Sequence, residues 1–193
     1  MPLSTDPVTD SGWLRRRPGA ALVGVLAAAA VTALIVWAVS GGGGKSSAPP
    51  PPLVKLGPMG LSSSGLQGFV SGTLKQPVYW AGQRDGDLYE LTRTSSGNVY
   101  VRYLPPGVAV GDPRASFLIV VTYPYPNALQ RLKPVASGAG VTLPGGGFAL
   151  PDAAYPKSVH LAFPGVGYEV EVYDPSPRVA RRVALSGAIQ QVH

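Results

Sequence analysis

Cysteine is absent from the chain. No disulfide framework can staple the fold, and a thiol nucleophile and a lipidated N-terminal cysteine are both excluded. Histidine is nearly absent too, with only His160 and the terminal His193. Without a Gly-x-Ser-x-Gly elbow beside them, a triad hydrolase lacks its parts. Charge is sparse at 13 % of residues, while Gly (25) and Pro (21) are frequent. Disordered chains carry more charge and fewer aromatics, so this composition reads as a turn-rich ordered domain.

What the chain does have is a long apolar run. Residues 20–39 contain no charged side chain, and Arg15, Arg16 and Arg17 stand just before them. A run of about 20 apolar residues matches a hydrocarbon core roughly 30 Å thick. The arginines favour a cytoplasmic N-terminus. The expected organisation is a cytoplasmic tail (1–18), a transmembrane helix (19–40), a Gly/Pro-rich linker (41–60) and an extracytoplasmic domain (61–193). A cleaved secretory signal is the competing reading, because Ala38-Val39-Ser40 offers small residues to a peptidase; the run is longer than a usual signal core. Ala20, Gly24, Ala28 and Thr32 recur every four residues, a stripe along which a second copy could pack as a homodimer. Gly44-Lys45-Ser46 is no phosphate loop, since Val39 stands where that motif needs glycine.

Lys and Arg outnumber Asp and Glu by 16 to 10. At an extracytoplasmic location this points away from nucleic acid and toward anionic lipid or acidic envelope polymers.

Within the domain, Leu66, Phe69, Val70 and Leu74 predict a helix over 61–74. Strand-like runs follow at 78–80, 88–93, 99–104 and 116–123, punctuated by Ser96-Gly97-Asn98 and Pro105-Pro106-Gly107. A helix is expected from Pro126 to about Ala136, then strands at 148–150, 159–163 and 168–173, a helix from Pro177 to about Ser186, and a closing strand at 188–192. Val121–Pro126 and Val172–Pro177 both lead through a Pro-x-Pro corner into a helix with a glycine stop. The domain therefore reads as α+β, an antiparallel sheet with helices packed on one face, with a duplicated β-β-β-α unit or convergent punctuation as the alternatives. Alternation places Tyr168, Val170 and Val172 on one sheet face and Glu169, Glu171 and Tyr173 on the other, and likewise separates Val99, Val101 and Tyr103 from Tyr100, Arg102 and Leu104. The second face is expected to stay partly wet.

Candidate chemistry is thin. If residues 164–167 form a four-residue hairpin loop, His160 falls opposite Glu171 with Glu169 nearby, the one group available to a metal or an acid/base pair. The bland reading is a cross-strand His–Glu contact. Asp85-Gly86-Asp87 reads as a tight turn in preference to a calcium clip. Binding candidates are Tyr100, Arg102 and Tyr173 on the open sheet face, as a platform for sugar rings or a partner protein, and Arg178, Arg181 and Arg182 on one side of the last helix.

The stretches PVYWAG (77–82), YELTRTSSGNVYVRYLPPG (89–107) and VGDPRASFLIVVTYP (110–124), continued in LPGGGFAL and VYDPSP, resemble a recurring set of bacterial single-pass, membrane-anchored proteins without assigned function. That resemblance implies no activity, substrate or catalytic residue. The expectation is a non-catalytic envelope protein that binds a protein partner or wall polymer and needs no cofactor. The alternatives are a carboxylate-dependent envelope enzyme and a small membrane signalling or assembly factor.

Overall fold

The computed structural model describes residues 53–136 and 138–193. The tail, the apolar run with its Ala20/Gly24/Ala28/Thr32 stripe and linker residues 41–52 lie outside the described residues. Among the described residues, no helix is long and apolar enough to cross a membrane.

The domain is α+β, with a large antiparallel sheet and three helices. It starts earlier than expected. Residues assigned to the linker form strand β1 (Leu56–Leu61), which pairs antiparallel with β3 (Leu88–Arg93) through Met59↔Leu91 and Leu61↔Tyr89. Pro58 and two glycines hide this strand from any propensity argument, and it survives because an edge strand tolerates them. Helix α1 (Ser63–Phe69) follows, capped where the Ser62 hydroxyl accepts the Gly65 amide at 3.1 Å. It continues as a π-helical turn, Val70–Leu74, and stops at Lys75, whose φ of 51° is left-handed. Leu66, Val70 and Leu74 are its buried residues.

Among the described residues, strand β2 (Tyr79–Trp80) pairs only with the closing strand β10 (Gln190–Gln191). The remaining strands are β4 (Val99–Leu104), β5 (Ile119–Pro124), β6 (Val141–Thr142), β7 (Phe148–Pro151), β8 (Ser158–Ala162) and β9 (Tyr168–Tyr173). With β1 and β3 they form one eight-stranded sheet in the order β1-β3-β4-β5-β9-β8-β7-β6. Thus β3-β4-β5 meets β9-β8-β7 at a central antiparallel pair, Val121↔Glu171 and Tyr123↔Glu169. Each triplet leads into a helix, α2 (Ala128–Val135) after β5 and α3 (Pro177–Leu185) after β9. Pro177 opens α3 as expected, but Pro126 lies before α2, whose first turn begins after Asn127 in a left-handed conformation.

The helices do not share one face, which corrects the expected layering. Leu161 of β8 belongs to the main core with Val101, Val120, Val170 and Val172, under α1 (Leu66) and α3 (Ala180, Val183, Ala184). Its neighbour Ala162, pointing the other way, joins Leu150 and the α2 residues Ala128, Leu132 and Ala136 in a second cluster. Helical spacing tells that a helix has a buried side, but not which side of a sheet receives it.

Candidate functional site

The second sheet face, expected to be wet, carries a buried polar stripe across the middle strands. The β8–β9 hairpin closes through residues 164–167, with Gly165 at φ 72° and the Val166 amide donating to the Phe163 carbonyl. His160 therefore stands opposite Glu171, the register that the loop length implied. Same-face alternation adds Ser158 on β8, Glu169 on β9 and Tyr123 on β5.

Glu171 is 3 % exposed. Its two oxygens are each engaged at 2.6 Å, one accepting from the Tyr123 hydroxyl and the other from Ser158. His160 is 1 % exposed; its Nδ1 lies 2.7 Å from Glu169 Oε1. Its Nε2 has no hydrogen-bond partner among the described residues, although Asp152 Oδ2 is 3.4 Å away. The distance permits electrostatic attraction without a hydrogen bond. Asp152 Oδ1 meanwhile accepts the Ala154 and Tyr155 amides of the β7–β8 turn.

Burial alone would lower the pKa of His160. The Glu169 hydrogen bond, with the charges of Glu169, Glu171 and Asp152, outweighs it and holds the imidazole above the ordinary 6.5. Because the folded value exceeds the unfolded one, the stability this pairing contributes is complete below about pH 6.5 and is lost as pH rises through the folded value. An NMR titration should place His160 above 6.5, and Glu169→Gln should bring it down. A wild-type value at or below 6.5 would contradict the arrangement.

The other end of the stripe is equally closed. Arg102, 5 % exposed, pairs at 2.6 Å with Glu90, 1 % exposed. Its Nη2 donates to the Asp112 and Arg114 carbonyls at 2.8 and 2.9 Å, and its guanidinium lies over the Phe117 ring. The second Glu90 oxygen accepts the Gly111 amide. Segment 105–118 is thus folded back over this end of the sheet. Within it, hydrogen bonds from Arg114 hold the half-buried Asp112 carboxyl down to about 2.

These contacts revise several expectations. Arg102 is a buried clamp and no surface binding residue. The Tyr173 hydroxyl donates to the Ala115 carbonyl, Tyr100 is half-buried and Arg102 is buried, so the three do not form an open platform. Among the described residues, no group of three or more His, Cys, Asp or Glu side chains could hold a metal ion, which removes His160, Glu169 and Glu171 as a metal set. Asp85-Gly86-Asp87 is a turn, with Gly86 at φ 79°, and Glu90 is committed to Arg102.

Arg178, Arg181 and Arg182 are brought together as expected. All three are exposed on α3 and line one open depression with Leu185 and Ser186. Sequence reasoning missed Ser158, Tyr123, the pairing of Glu90 (weighed only as a neighbour of the Asp85-Gly86-Asp87 calcium candidate) with Arg102, and Asp152. The first three follow from extending strand alternation to neighbouring strands; Asp152 sits in a turn, where no periodicity announces it.

No protein-family model, no curated protein and no solved structure matches the chain. Function is therefore read from the geometry of its own residues.

Proposed function

We propose that this chain is a membrane-anchored, non-catalytic envelope protein. Residues 19–40 hold it in the bilayer with the N-terminus cytoplasmic, and the α+β domain binds a protein partner or envelope polymer outside. The observation that carries this reading is the state of the carboxylates. Both Glu171 oxygens accept from hydroxyls, Ser158 buried and Tyr123 half-buried, and Glu90 is held by Arg102 and Gly111, so the groups an envelope hydrolase would need serve the fold instead. The recurring order of three strands and a helix fits a duplicated unit, with α2 and α3 then diverged onto opposite faces.

Crosslinking of the full chain in intact membranes, followed by capture, should recover a protein or glycan partner. Recovery of neither would count against the binding role. Protease added to intact spheroplasts should digest the domain; protection there, with digestion in inverted vesicles, would reverse the topology.

A further inference from the structure

We propose that the arginine face of α3 docks on anionic phospholipid headgroups of the bilayer in which the chain is anchored, laying the domain against the membrane. The inference rests on the anchored reading above and goes beyond it by naming the surface and its ligand.

The α3 arginines differ from every other arginine of the domain. Arg102 and Arg114 are in ion pairs with Glu90 and Asp112. Arg84 and Arg131 lie over the Tyr103 and Tyr125 rings, and Arg93 donates to the Val54 carbonyl. Among the described residues, Arg178, Arg181 and Arg182 have no ion pair, and α3 contains no acidic residue. Three adjacent positive charges therefore stand uncompensated on one helix face. Guanidinium groups suit such a site because their planar forks match phosphate oxygens.

Size and tether favour a headgroup over an extended polymer. From Arg178 to Leu185 the face spans about 10 Å of helix, room for a phosphate or two and not for a long chain. The 13 residues 40–52 separate the apolar run from the first described residue of the domain, a chain length that spans about 20 Å for a flexible linker. A patch so tethered meets a lipid surface at high effective concentration, so weak individual contacts suffice. The contact is peripheral: Ala180, Val183 and Ala184 are spent in the core, and Leu185 is half-buried. The helix has no apolar side left to insert, and salt should abolish docking.

The chain's lack of cysteine provides the probe. Ala188→Cys in the exposed turn after α3 accepts a single fluorophore on the full chain, and energy transfer to a headgroup-labelled lipid reads its distance from the bilayer. Transfer should be higher in phosphatidylglycerol-containing nanodiscs than in phosphatidylcholine ones. That increment should vanish at about 1 M salt, where the screening length is roughly 3 Å, and in an R178Q/R181Q/R182Q variant whose thermal unfolding is unchanged. Equal transfer in both discs, or an increment that survives the triple substitution, would overturn the proposal. So would an arginine-dependent change seen only when soluble poly(glycerol phosphate) is added to zwitterionic discs, which would assign the face to a polymer. Vesicle flotation separates this from the anchor. Flotation with both lipids supports the anchor, and arginine-dependent flotation with anionic vesicles alone supports the docking face while overturning the anchor. Flotation with neither overturns both.

Discussion

Arg102→Ala should lose about 3–5 kcal/mol of folding stability, the penalty for stranding one partner of a buried ion pair. Glu90 would be left charged at 1 % exposure, with only the Gly111 amide to offset it. The Asp112 and Arg114 carbonyls would lose this donor, and Phe117 would keep only the more distant of the two guanidinium groups over its ring, that of Arg114. Urea unfolding measures the loss directly. Limited proteolysis should show segment 105–118 cut faster, since Arg102 holds its Asp112 and Arg114 carbonyls. Combining the substitution with Glu90→Leu should recover a large part of the stability, because removing both charges is far less costly than removing one. A loss below about 1 kcal/mol for the single variant, the range of a solvated surface charge, would return Arg102 to the recognition role that its place in the alternation suggested.

Glu171→Ala is expected to cost roughly 3 kcal/mol. Hydrogen bonds to a charged group contribute about 1.5–3 kcal/mol each, and the buried Ser158 and half-buried Tyr123 hydroxyls would lose this acceptor. Glu171→Gln keeps the shape and should cost less, while lowering the His160 pKa by removing one of the charges that raise it. The Gln variant also separates the two functional readings. A structural carboxylate loses stability on this change but leaves partner capture intact. A catalytic one would abolish the biological activity with little effect on the unfolding midpoint, and that outcome would revive the enzyme alternative.

The arrangement of the second face was legible where it depended on local counting. Loop 164–167 has a length that sets the β8–β9 register, and period-two alternation then carried His160, Glu169 and Glu171 to one side. Burial was not legible, because it depends on what covers that side. Segment 105–118 is rich in Pro and Gly and has no periodicity; it is held in part by Arg102 and Glu90, which in sequence look like ordinary solvent-facing charges. Helix α2 was recognisable as a helix, yet its apolar residues Ala128 and Leu132 pack equally well in principle on either face of a sheet. Strand β1 was missed for the opposite reason: its residues favour a turn, and only the ladder to β3 makes them a strand.

Strand β1 has a mechanical consequence. It is an edge strand, it is the first element of the domain, and the preceding residues are stitched on by the Leu53 amide to Ser95 and by Arg93 to the Val54 carbonyl. Any pull on the N-terminal segment is therefore delivered to the outermost ladder, one bond at a time from the Leu56↔Arg93 end. The domain would yield under load by unzipping this hem, while the central β5–β9 seam stayed closed.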